Sequence, residues 1–125
     1  EGADHTIAIR TFNAATEADA LEVSKAVSRS NLVKTAVFGK DPNWGRVLSE
    51  VGTTKAAFEP DELNVSINGV MVCKNGGVGE DRNLVSLEER NVRIEIDLNA
   101  GTEEATVLTN DLTHDYVHEN SAYSS

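Results

Sequence analysis

The chain has 125 residues and a formal net charge of −10 at pH 7, with 21 acidic residues against 11 lysines and arginines. That balance excludes a nucleic-acid binder, which needs clustered cations to displace counterions, and it excludes docking on an anionic membrane surface. With 39% hydrophobic and 26% charged residues, the composition is that of one folded domain over residues 1–125, long enough to bury a core. Only three Phe, two Tyr and one Trp are present, so the core rests on Val, Leu, Ile and Ala. The lone cysteine, Cys73, rules out an internal disulfide and a Cys-rich zinc site. Within Val70-Met71-Val72-Cys73 it reads as a buried, inert thiol suited to a reducing cytoplasm. No apolar run approaches the ~20 residues needed to span a bilayer. Because the first residue is Glu1 rather than Met, the natural N-terminus is expected upstream.

In chain order, His5 to Phe12 alternates as a strand, with Ile7, Ile9 and Thr11 on one face. Thr16-Glu17-Ala18-Asp19 is an N-cap followed by an acidic third position, and Ala20, Val23 and Val27 form one apolar stripe on a helix ending near Ser30. Leu32 to Gly39, rich in Val33, Val37 and Phe38, reads as a second strand. Asp41-Pro42 is the expected cap and first turn of a helix through Trp44, Val47, Leu48 and Val51, stopped by Gly52. Pro60 breaks the chain. Leu63 to Ile67 and Val70 to Cys73 form a hairpin about Asn68-Gly69. Asn75 to Gly79 is loop. Val92 to Leu98 and Ala105 to Thr109 read as a second hairpin, and Asp111-Leu112-Thr113 opens a final short helix to Asn120. This order predicts an α+β fold: a mixed, largely antiparallel sheet with helices packed on one face.

Few of these residues suggest chemistry by themselves. His114 and His118 lie four apart on the last expected helix, but the rest of a metal ligand set is missing, so no metal is expected. Gly76-Gly77-Val78-Gly79 lacks the lysine of a phosphate-binding loop and reads as a turn. Asp41-Pro42-Asn43-Trp44-Gly45-Arg46 reads as a cap with an anchoring tryptophan. A glycine inside a helix costs ~1 kcal/mol, so something is expected to pack closely against Gly45, and Arg46 is suited to a nearby anion.

Several long strings nevertheless resemble a known family. Leu32-Val33-Lys34-Thr35-Ala36-Val37-Phe38-Gly39, Asp41-Pro42-Asn43-Trp44-Gly45-Arg46-Val47-Leu48, Thr109-Asn110-Asp111-Leu112-Thr113 and Tyr116-Val117-His118-Glu119-Asn120-Ser121-Ala122-Tyr123-Ser124-Ser125 are similar to the C-terminal part of the β chain of the ornithine acetyltransferases, also called bifunctional glutamate N-acetyltransferases. The resemblance runs from the first residue to the last. It implies part of a larger α/β acyltransferase of arginine biosynthesis, whose precursor cuts itself before a threonine. That threonine carries an acetyl group from N-acetylornithine to glutamate by a ping-pong route, with acetyl-CoA a further donor in some members. The implied assembly has two α and two β chains, with no cofactor. The nucleophilic threonine, the oxyanion-hole pair and a substrate-holding lysine are expected upstream of Glu1, so no catalytic residue is assigned within the chain, and the fragment is expected to be inactive alone.

The same resemblance marks Glu1, Asn120 and Ser125 as substrate-binding residues. Glu1 and the Ser125 carboxylate suit the side-chain ammonium of N-acetylornithine, while Asn120 can donate or accept. Glutamate brings a carboxylate where ornithine has that ammonium, so a water, a shared proton or a different contact has to intervene. The rival readings are a non-catalytic, small-molecule-binding regulatory domain of the same α+β pattern, and a paralogue running the same acetyl exchange in antibiotic biosynthesis.

Overall fold

The alternation at the start of the chain becomes β1 (Thr6–Ala14) in a computed structural model that describes residues 4–111. Ile7, Ile9 and Thr11 are fully buried, while Ala8, Arg10 and Phe12 on the other face are half-buried. The first helix, α1 (Glu17–Ser28), begins where expected: the Thr16 side chain accepts from the Asp19 N–H, and Ala20, Val23 and Val27 are buried against the sheet. Later come the hairpin of β2 (Asn64–Ile67) and β3 (Val70–Lys74), then a two-residue strand β4 (Gly77–Val78), β5 (Asn91–Asp97) and β6 (Glu103–Asn110).

The strands form one sheet in the order β4-β3-β2-β5-β1-β6. Only β1 with β5 is a parallel pair, in register Ile7↔Val92, Ile9↔Ile94 and Thr11↔Ile96; the other pairings are antiparallel. The mixed, largely antiparallel sheet of the sequence reading is therefore present. So is its one-sided cover of helices. Val and Ile side chains from β1, β2, β3 and β5 join those of α1, α2 (Asn31–Phe38) and α3 (Trp44–Val51) in one cluster. Two hydroxyls sit inside it. Ser24 donates to the Ala105 carbonyl at 3.2 Å, which leaves Thr11 to donate to Ser24 at 2.8 Å.

Four details depart from the sequence reading. Residues 32–38 are helix, not strand, and Gly39 is the C-cap. The Ser30 side chain caps α2 by accepting from the Val33 N–H at 3.2 Å, and Val33, Ala36 and Val37 are buried at helical spacing while Leu32 is exposed. The β-branched residues that suggested a strand serve here as the packing face of a helix. The next helix, α3, starts later than expected: Asn43, not Asp41, is its cap, accepting from the Arg46 N–H at 3.1 Å. The loop at 75–79 contains β4, reached by an Asn75-Gly76 turn with both residues at positive φ, as at Asn68-Gly69. Finally, β5 and β6 are not a hairpin, because β1 lies between them.

That last arrangement shapes the end of the sheet. The connection from β5 to β6 has to cross the tip of β1, where Asn13 adopts φ 53 and the β1–β6 register shifts between Thr11 and Ala14. The Asn13 carbonyl accepts from the N–H groups of Ala100 (2.8 Å) and Gly101 (2.9 Å). Gly101 lies flat against β1: a Cβ there would collide with the Ala14 carbonyl oxygen and sit 2.8 Å from the Ala15 Cα. The helix expected over residues 111–120 lies outside the described residues apart from Asp111, which is not helical.

Candidate functional site

Because β1 and β6 are antiparallel neighbours, Thr6 faces Asn110, and the segments that precede β1 and follow β6 leave the sheet at the same end. Asp111 binds them together. Its Oδ1 accepts from the backbone N–H of Asp4 at 2.9 Å and of His5 at 3.0 Å, and its Oδ2 lies 2.6 Å from His5 Nδ1. The other ring nitrogen, Nε2, is 2.7 Å from the Leu87 carbonyl oxygen. His5 and Asp111 are each only 2% exposed. A third segment joins through Leu87 and through Arg90, whose carbonyl accepts from the Thr6 N–H at 2.8 Å. Among the described residues no buried side-chain nitrogen or oxygen lacks a partner.

Glu1, Asn120 and Ser125 lie outside the described residues, as do His114 and His118. The structure adds His5, Asp111 and Leu87 instead, a set the sequence reading missed. Asp111 read as a helix start and His5 as a strand end, and a separation of 106 residues carries no signal of contact. Among the described residues no group of three or more His, Cys, Asp or Glu side chains is placed to hold a metal ion. No helix of the described residues is long and apolar enough to cross a membrane.

The block from Asp41 to Arg46 makes local contacts that hold α2 and α3. The Asp41 carboxylate accepts from Arg82 and from the Asn43 amide at 3.1 Å, while Arg46 donates to the Leu32 carbonyl at 2.8 Å. Trp44 packs on the core as expected. Among the described residues nothing crowds Gly45, however: a Cβ there would meet Asn43 Oδ1 alone, at 3.5 Å. The cleft between this block and the sheet, about 10 Å³, has room for no more than a water. Two surface grooves are larger. One of about 380 Å³ lies where the helices meet, beside Arg29, Ser30, Asn31 and Glu50. The other, about 410 Å³, is lined by Asn68, Ser86, Glu89, Asn91 and Arg93. Asn91 pairs with Thr6, so this second groove shares the sheet end at which the chain ends meet.

Cys73 is fully buried, its Sγ 3.9 Å from the Leu63 carbonyl oxygen. Burial pushes the thiol up from its ordinary range, against a smaller opposing pull from backbone hydrogen bonds at Gly76 and Val65. A thiol that is hard to ionise and sealed from solvent is no nucleophile. We expect a disulfide-exchange reagent to leave the native thiol unlabelled and to label it fully in denaturant; rapid native labelling would contradict the burial. The sign for stability follows. The folded value is the higher one, so the thiol's contribution is complete below the unfolded value and is lost as pH rises through the folded one.

Comparison with known proteins gives one consistent result. The model of the ArgJ family matches residues 1–125. The arginine biosynthesis bifunctional protein ArgJ of Streptomyces avermitilis is 66% identical over the whole chain, which covers 33% of that protein. The Thermobifida fusca protein of the same name is 58% identical, again with 33% of its length covered. The crystal structure of the arginine biosynthesis bifunctional protein ArgJ from Bacillus halodurans superposes with a TM-score of 0.89 at 31% identity, covering 98% of this chain and 60% of that one. The chain thus spans about a third of the length of the curated relatives it matches.

Proposed function

Because the chain belongs to the ArgJ family, we propose that it is part of an acetyltransferase of arginine biosynthesis that moves the acetyl group of N-acetylornithine to L-glutamate. The family match over all 125 residues is the observation that carries this reading. In the proposed reaction a threonine hydroxyl, supplied by the remainder of the protein, attacks the acetamide carbonyl of N-acetylornithine. Ornithine leaves with the proton, and the acetyl group stays on the threonine oxygen. The amine of glutamate then attacks that ester, releasing N-acetylglutamate and restoring the hydroxyl. The precursor generates this threonine by cutting itself, and the resulting α and β chains assemble as a cytoplasmic heterotetramer. The present chain is inactive alone.

Its proposed contribution is the amino-acid pocket, through Glu1, Asn120 and Ser125. The support is the junction at the sheet end: Asp4, three residues from Glu1, is hydrogen-bonded to Asp111, nine residues before Asn120. The two segments bearing these residues therefore start from one place.

The test is an acetyl-transfer assay of the full-length precursor, with N-acetylornithine or acetyl-CoA as donor and glutamate as acceptor. Asn120→Ala is expected to raise KM for N-acetylornithine about tenfold with little change in kcat, the effect of one lost polar contact to a charged substrate. Deleting Ser125 is expected to act in the same direction. Unchanged KM and kcat in both variants would remove these residues from the site, and a precursor that transfers no acetyl group would end the functional reading.

A further inference from the structure

The sheet ends on two unlike edges. At one, β4 is two residues long, and Gly79 follows it so close to β3 that a Cβ there would collide with the Met71 carbonyl oxygen. Shortness alone blunts that edge. At the other, β6 runs for eight residues without a proline or a lysine, the usual guards of a bare edge, and its run from Ala105 to Asn110 carries no charge. Among the described residues no strand pairs with the outer side of β6. Two hydrogen bonds fix which groups point there. The Asp111 N–H donates to the His5 carbonyl, whereas Thr6, opposite Asn110, donates away from β6, to Arg90. Alternation along the ladder then turns the N–H and C=O of Ala105, Val107 and Thr109 toward β1, and those of Glu104, Thr106, Leu108 and Asn110 outward. All four outward residues are exposed, Leu108 at 69%. Only Glu104 among them is charged, and Arg10 Nε pairs with it at 2.6 Å.

We propose that the outer edge of β6 pairs antiparallel with β6 of a second copy of this chain, across a two-fold axis at Val107, so that one sheet runs through both copies. In this register the strand is complementary to itself. Thr106 lies opposite the copy's Leu108, Glu104 opposite the neutral amide of its Asn110, and Val107 opposite its own counterpart. The two Leu108 side chains become diagonal neighbours, within reach of each other. No charge faces a like charge along the paired run. Each copy carries a formal charge of −10, yet β6 contributes only Glu103 to it once Glu104 is paired, and Glu103 falls beyond the end of that run. A two-fold axis lets one patch serve as both partners. The helix α1 packs on β6, with Ser24 donating to the Ala105 carbonyl, so it would lie beside its own copy and enlarge a contact that strand pairing alone leaves small. The pairing rests on strand geometry and not on the acetyl-transfer reading; in the proposed heterotetramer it would join the two copies of this chain.

The experiment uses the full-length protein. Val107→Cys puts two thiols across the axis in a non-hydrogen-bonded pair, where Cα atoms ~4.5 Å apart suit a disulfide. Mild oxidation is expected to link two copies at residue 107, as located by peptide mass spectrometry. Thr109→Cys, which faces Ala105 of the copy, should link about tenfold less. In the wild type, hydrogen exchange should find the outward N–H groups of Thr106 and Leu108 slowed to within about tenfold of the inward N–H of Val107. Sedimentation should find two copies of this chain in each particle. Outward groups that exchange on the order of 100-fold faster than Val107 would mean a bare edge and overturn the pairing, a reading that needs no variant to fold. Slow exchange in a particle holding one copy would assign the edge to another strand of the same protein, and the proposal would fall. A Val107→Cys protein that is folded by circular dichroism yet forms no link at residue 107, or links less than Thr109→Cys, overturns it equally.

Discussion

Asp111→Ala is expected to cost about 3 kcal/mol, the scale for leaving buried donors without a partner, and to lower the unfolding midpoint on the order of 10 °C. One carboxylate takes the N–H groups of Asp4 and His5 and the His5 ring, all within 3.0 Å. Alanine leaves each of these donors unmet in a site only 2% exposed. Among the described residues the other Asp111 contact is its own N–H donating to the His5 carbonyl at 3.3 Å, which does not replace the oxygens. Thermal unfolding followed by circular dichroism checks the claim, with Asp111→Asn expected to recover part of the loss. A midpoint within a degree or two of wild type would mean the cluster is not buried as described.

A comparable loss, about 3 kcal/mol, is expected for Gly101→Ala. The added methyl would collide with the Ala14 carbonyl oxygen and come within 2.8 Å of the Ala15 Cα and 2.9 Å of the Ala14 carbonyl carbon. These are backbone atoms, so no rotamer change relieves the overlap. One of two things has to move: the bulge at Asn13, whose carbonyl accepts two N–H groups, or the crossing from β5 to β6. Gly45→Ala is the control. Its methyl has space and its position is helical, so it should stabilise the chain by ~1 kcal/mol. Equal midpoints for the two variants would show that the crossing does not press on β1.

What the sequence made legible was local. Thr16 as a cap, the apolar stripe Ala20, Val23 and Val27, the Asn68-Gly69 turn and the alternation through Val92, Ile94 and Ile96 are read from neighbours a few residues apart, and each is present. The second Asn-Gly turn, at residues 75 and 76, carried the same signal but was absorbed into a glycine-rich loop. Residues 32–38 went astray because Val and Phe favour strands in isolation, whereas the space available here was over a sheet already filled by others. The false hairpin of β5 and β6 has a similar origin. Short connections suggest adjacency, and nothing near residue 100 reports that β1 will lie between the two strands. The candidate site divides in the same way. Glu1, Asn120 and Ser125 came from a family resemblance, whereas His5 and Asp111 are brought together only by the pairing of the first strand with the last.

Strand order also governs how this chain acquires its structure during synthesis. Of the six described strands, β1 is made first, yet its two partners are the last two of the six, residues 91–97 and 103–110. Until they emerge, β1 lacks both of its partner strands, and Ile7 and Ile9 depend on the helices that follow for their cover. Closing the sheet requires contacts as far apart in sequence as Thr6 with Asn110, the kind of topology that folds slowly and exposes sticky intermediates. A truncation that ends before β6 should therefore yield a polypeptide dependent on chaperones rather than a smaller stable domain.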